Sequence, residues 1–161
     1  MSATYPSPTP DEVAELLHGL LGREVSVKPK PGIALGPRDP GTVAIYSNEE
    51  DQVVGVVLCD LPLAISTGAA LSMIPSDIAT ENIRKQELTG DILENVREVF
   101  NIVAQVFNRQ GRPRVHFKAA HVTPPPPDRE VVLLVARPKA RIDLAVDVQE
   151  YGGGKMTVVS S

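Results

Sequence analysis

The sequence predicts an α+β domain in which helices pack on an antiparallel or mixed sheet. Three observations predict it. Two segments, near 10–22 and 90–108, repeat apolar residues at helical spacing. Two apolar runs, 42–47 and 52–59, flank a turn-like Asn-Glu-Glu-Asp. Beyond Pro113 the chain turns strand-like, most clearly where Ile142, Leu144, Val146 and Val148 alternate with Asp143 and Asp147.

Taken in order, residues 1–8 read as a flexible tail and 9–161 as one domain. Thr9, Pro10 and Glu12 form a helix start, with a cap, a proline in the first turn and a capping box. That helix stops near Gly22. EVSVKPK (24–30) alternates as a strand, and the proline- and glycine-rich 31–41 reads as a loop. The runs 42–47 and 52–59 read as an antiparallel hairpin. Asp60 caps a second helix that ends at Pro75, and Gly68, Ala69 and Ala70 in its middle predict close packing. Residues 74–88 read as a polar connection with room for a short helical turn. The third helix spans 90–108. Strands are expected at 114–122, 130–137, 140–149 and 155–161, joined as an antiparallel meander. The continuously apolar Val131–Ala136 suits a central strand. The sum is about three helices and seven strands, and helix-then-strands in the first half is echoed in the second.

With 161 residues the chain can bury one sizeable core. A net charge of −4 and the lack of a Lys/Arg run argue against a nucleic-acid partner. Its single cysteine, Cys59, cannot form an internal disulfide, sits in an apolar run, and reads as a buried thiol in a reducing compartment. MSATYPSPTP lacks the basic and apolar regions of a signal peptide. The apolar stretch 53–65 is too short to span a bilayer and is broken by Asp60. A cytoplasmic protein with no membrane partner is expected.

The third helix carries the candidate site. On a helical projection Glu94, Glu98, Asn101, Gln105 and Asn108 form one narrow polar stripe. Leu93, Val96, Val99, Phe100, Val103, Val106 and Phe107 cover the other side. Carboxylates and carboxamides along one line can grip a cation and orient a water. Other chemistries lack their residues: there is no phosphate-binding glycine loop, no GxSxG and no Cys/His cluster. His116 and His121 are an odd number apart on an expected strand, which would point them to opposite faces. His18 reads as structural, and the four prolines at 124–127 as a loop breaker. Glu98 and Asn101 are neighbours one turn apart. A carboxylate there can pair with a partner's lysine, and a carboxamide, both donor and acceptor, can hold a water in line with a phosphoryl group. Alone the pattern is cheap, because average residue usage gives about 0.4 Glu-x-x-Asn matches in a chain of this size.

With Glu98, Asn101 and, further on, Pro124, the chain resembles the CheC/CheX family of chemotaxis phosphatases, relatives of the flagellar switch proteins. The first helix ending in Leu-Gly-Arg-Glu-Val, the Gly55-Val-Val-Leu strand leading into an Ala/Ser-rich helix, and the closing strands follow the family's order over residues 9 to 160. Glu94 and Gln105 depart from its pattern, and the first helix has no second Glu-x-x-Asn, as in the CheX-like branch. The resemblance implies a CheC-like fold and action on the aspartyl phosphate of a response-regulator receiver. Glu98 would dock by pairing with the receiver's lysine and Asn101 would position the attacking water. The divalent cation would belong to the partner, with no cofactor or metal of the protein's own. It also implies a homodimer formed by joining sheets. The alternative is a noncatalytic binding or scaffold module of the same fold. A small-molecule site at the loop 31–41 has little behind it.

Overall fold

The computed structural model describes residues 5–32, 35–88, 90–108 and 113–161. These form five α-helices, a 3-10 turn and one six-stranded antiparallel sheet. Helix α1 (Pro10–Leu21) opens with the expected capping box, Thr9 Oγ1 accepting from the Glu12 N–H and Glu12 accepting from the Thr9 N–H. It ends at Gly22 in the left-handed region. The strands are β1 (Val25–Pro29), β2 (Gly41–Ser47), β3 (Val53–Asp60), β4 (His116–Thr123), β5 (Ala140–Val148) and β6 (Gly152–Ser160). The expected hairpin is β2–β3. The remaining helices are α2 (Leu61–Leu71), α3 (Ser76–Lys85), α4 (Gly90–Val103) and α5 (Arg129–Ala136).

The strand order β1-β5-β6-β3-β2-β4 reads the same from either edge when the first three strands are exchanged for the last three. Helix α1 precedes one edge strand and α4 precedes the other. The echo between the two halves of the sequence is thus a pseudo-twofold arrangement of the sheet.

Four expectations are corrected. Residues 130–137 are not a strand but α5. The apolar run conceals a helical period: Val131 and Val135 are buried while Leu133, between them, is about half exposed. Together with Leu35, they cover Val43, Ile45, Val56, Leu58 and Val159 on the second face of the sheet. The strands after Pro113 do not form a meander. Only β5 and β6 are a hairpin, and β4 crosses to the far edge beside β2. The connection after Pro75 is a ten-residue helix, α3, held by Glu81 pairing with Arg84 and Lys85. Finally, the tail is not free at its inner end. Tyr5 is buried, its N–H donates to Ser161 and its carbonyl accepts from the Ser160 hydroxyl. Residues 1–4 of the expected tail, and Ile33 and Ala34 of the expected loop, lie outside the described residues.

Helix α2 lies at the centre of the helical layer, buried nearly all round, and packs against the sheet, α1, α3 and α4. Asp60 starts it. Its carboxylate accepts from the Leu63 N–H and, across the sheet, from the Lys155 N–H. Burial raises its pKa against the opposing pull of those two bonds. The other end closes with Met73 N–H donating to Ala70 and Ile74 N–H to Ala69, a Schellman closure that puts Met73 at φ 56°.

Small residues let α4 approach α2, as expected. A Cβ on Gly68 would lie 2.7 Å from the Ile92 carbonyl oxygen and 2.7 Å from Val96 Cγ2. Backbone cannot give way as a flexible side chain can, so Gly68→Ala should destabilise the domain by about 1–3 kcal/mol. Urea unfolding should show a lowered midpoint with unchanged slope.

Candidate functional site

Helix α4 presents the polar stripe on its outer surface. Val96, Val99, Phe100 and Val103 are buried beneath it, joined by Ile92, while Leu93 is only half-buried. The α-helix ends at Val103 and tightens into the 3-10 turn Ala104–Val106, short of the helix expected to 108.

Two polar pins fix α4. The Tyr46 hydroxyl, fully buried on β2, donates to the Phe100 carbonyl at 2.7 Å. Its ring packs against Phe107 and Phe117, with centroids 5.0 Å and 5.9 Å away. Gly55 on β3 leaves room for Phe107, whose ring would stand 3.0 Å from any Cβ there. At the α2 side, Asn95 Nδ2 donates to the Gly68 carbonyl and to Ser72 Oγ. Burial, and secondarily Cys59, raises the Tyr46 pKa well above its ordinary value, so the phenol stays a donor. Burial first, and then the Asp60 charge, also pushes the Cys59 thiol up. Cys59 is a protonated core residue, as its apolar run predicted.

Of the five stripe residues, Glu94, Glu98, Asn101 and Gln105 are exposed, and none of these four side chains hydrogen-bonds or pairs with another described residue. Asn108 is different. Its Nδ2 donates to the Ala104 and Val115 carbonyls, and its Oδ1 accepts from the Val115 N–H at 2.7 Å. It ties the helix end to the approach of β4 and is structural, although it shares the stripe's angle.

The sequence reading missed Arg97, exposed one turn before Asn101 at the border of the stripe. It lines a cleft of about 430 Å³ with His121, Val122, Pro125, Pro126, Pro127 and Asp128. The cleft brings the proline run that contains Pro124 alongside α4. A smaller hollow of about 250 Å³ joins Gln105 and Val106 to Glu12, Glu15 and Leu16 of α1.

The histidine argument changes too. A bulge in β4 places Ser47 opposite His116 and Val43 opposite His121, so the two imidazoles fall on the same face. Four register positions still separate them by roughly 13 Å. Among the described residues no three or more His, Cys, Asp or Glu side chains gather as a metal site, and no helix is long and apolar enough to cross a membrane.

No family model and no curated protein matches the chain. Solved structures do. FliY of Thermotoga maritima matches with TM-score 0.55 at 12% identity, over 92% of this chain and 82% of that one. The FliM middle domain of H. pylori matches with TM-score 0.52 at 12% identity, over 94% and 84%. A CheX–CheY complex with BeF3 and magnesium from Borrelia burgdorferi matches with TM-score 0.51 at 11% identity, over 90% of each chain. The domain therefore has the α+β CheC-like fold that CheX, FliY and FliM share.

The polar residues that hold α4 in place and those it exposes separate by stability. Tyr46→Phe and Asn108→Ala each remove bonds to backbone groups and should cost about 1–3 kcal/mol. Alanine at Glu94, Glu98, Asn101 or Gln105 should stay within about 0.5 kcal/mol of wild type. Thermal denaturation of the six variants checks the division.

Proposed function

We propose that this protein docks on the receiver domain of a response regulator and hastens hydrolysis of its aspartyl phosphate. The observation that carries the reading is the pair Glu98 and Asn101. They are exposed one turn apart on a helix pinned to the sheet, with neither side chain engaged by another described residue. The fold neighbour CheX, in complex with CheY, supports a receiver as the partner. FliY and FliM stand as near in structure as CheX does. Fold alone therefore does not separate catalysis from docking, and the residues must.

In this reading Glu98 pairs with a lysine of the receiver and sets the register of docking. Asn101 enters the receiver's site, where its carboxamide holds a water opposite the carboxylate leaving group. The water oxygen bonds to phosphorus as the bond from phosphorus to the aspartate oxygen breaks. Inorganic phosphate and the free carboxylate result, and the water's proton passes to phosphate or solvent. The divalent cation is the receiver's own. The contribution of α4 is orientation, with no covalent intermediate on this chain. Glu94, one turn back, is solvated and outside the chemistry. A cytoplasmic setting goes with this partner.

The variants should fail differently. Asn101→Ala should still bind a phosphorylated receiver but lose about 100-fold or more of the acceleration. Glu98→Lys should weaken binding, most strongly at low ionic strength, because a charge pair is reversed. Glu94→Ala should change little. The assay is phosphate release from phosphorylated receivers of the same organism, paired with a binding measurement. Binding without acceleration by the wild type would sink catalysis and leave a scaffold role. Neither binding nor acceleration would remove the receiver altogether.

The homodimer is proposed on the same footing. Strands β1 and β4 each pair on one side only, leaving two sheet edges open to a second copy. Light scattering at high micromolar concentration should give twice the chain mass, and a monomer mass would reject it.

A further inference from the structure

The turn joining α2 to α3 breaks two local rules at one residue. Met73 occupies the position after the helix cap where glycine is favoured, with φ 56°, in the left-handed region that a β-carbon disfavours. It is also the most exposed of the large apolar residues described, at 73%, and Ile78, in the first turn of α3, is 48% exposed. The other described non-glycine residues at positive φ are Asp51, Gln86 and Glu150, all polar and suited to water. Glycine at 73 would relieve the backbone and remove exposed apolar surface together. Folding gives no reason for a methionine there.

Its place in the fold supplies one. Ser72, the residue before it, receives a hydrogen bond from Asn95 of α4 at 2.7 Å. Asn95 follows Glu94 and lies three positions before Glu98. The Met73 turn is therefore fastened to the flank of the polar stripe, opposite the flank where Arg97 meets the proline cleft. A partner seated on Glu98 and Asn101 would reach this turn without leaving the surface. The stripe supplies charge and orientation but no apolar area, and a docked protein surface needs an apolar anchor.

We infer that Met73, with Ile78 of the following helix, is the apolar anchor by which this protein holds the receiver domain, next to the charged contact of Glu98. The inference rests on the docking reading of Glu98 and Asn101. Methionine suits the task, because its unbranched thioether adapts to a surface it meets only on docking.

The decisive variant is Met73→Gly, for which folding and docking predict opposite signs. Each receiver of the same organism, loaded with beryllofluoride and Mg²⁺, is titrated against wild type and variants, and thermal melting is followed in parallel. Met73→Gly should raise Tm by about 2–4 °C and weaken receiver binding by about 10- to 100-fold. Met73→Leu should bind within about threefold of wild type, and Ile78→Ser should weaken binding less than Met73→Gly does. Gln86→Gly, the same backbone relief at the end of α3, should raise Tm and leave binding unchanged. If Met73→Gly binds like wild type while Glu98→Lys does not, the anchor is wrong and the docking reading stands. If Met73→Gly lowers self-association but not receiver binding, the turn faces a second copy and the inference is overturned. If wild type binds no receiver, the anchor falls with the reading beneath it.

Discussion

The buried hydrogen bond from Tyr46 to the Phe100 carbonyl is the constraint on which the candidate site depends. A phenol in a core must find an acceptor, because an unmet hydroxyl costs more there than the bond gains in water. The acceptor it finds is the backbone of α4, one residue before Asn101. Tyr46 sits on β2, with β3 on one side and β4 on the other, so the rotation of α4 about its axis is referred to the sheet. Phe107 and Phe117 pack on either part of the same ring and remove the freedom that a single bond would leave. An exposed carboxamide can orient a water only if its helix does not roll, and this arrangement stops the roll from beneath.

The second constraint is lateral. Helix α2 is buried nearly all round, and its neighbour α4 comes close only because position 68 has no side chain. Asn95 then uses the closeness, donating to Gly68 and Ser72 where the helices nearly touch. Dispersion packing and a polar clamp thus share one small region. The pseudo-twofold sheet gives α1 the place before the other edge strand, and on it Glu15 and His18, three apart, are exposed. His18 is occupied in bonding the Arg23 carbonyl. One edge of the fold keeps a polar pair that no described side chain engages, and the other has used its polar group to close a helix.

Much of this was legible in the sequence because it depends on local period and turn chemistry. The capping box at Thr9, the Asp60 cap, the β2–β3 hairpin and the exposed side of α4 follow from spacing alone. What failed needed information beyond the local window. Val131–Ala136 is apolar at every position, so neither period can be read, and only packing against the second sheet face selects the helix. The β4 bulge is a property of pairing with β2, and it reverses an argument about His116 and His121 that counts residues. Asn108 shares an angle with Asn101 on a projection. The return of the chain to Val115 makes it a clamp, and no projection contains that return. The destination of β4 was hidden for the same reason, since strand order is set by which edges remain open, not by the strand's own composition.

The contrast between α3 and α4 shows how a helix surface is committed. On α3, Glu81 pairs with both Arg84 and Lys85, and the nearest of these contacts lowers the Glu81 pKa. Such pairs at three- and four-residue spacing favour the helix weakly, in a way that salt screens. Helix α4 has the same opportunity in Glu94 and Arg97, three apart, and does not take it. Both groups stand in solvent, as do Glu98 and Asn101 between and beyond them. The polar groups of α4 and the turn after it that do serve folding, Asn95 and Asn108, are bonded, and each faces a neighbouring element. The division follows position and not residue type, because asparagine appears in both sets. Unpaired charges keep their hydration until a partner displaces it, but no internal ion pair must then be broken. Among the described residues the row on α4 forms no ion pair, and in this it differs from the paired surface of α3.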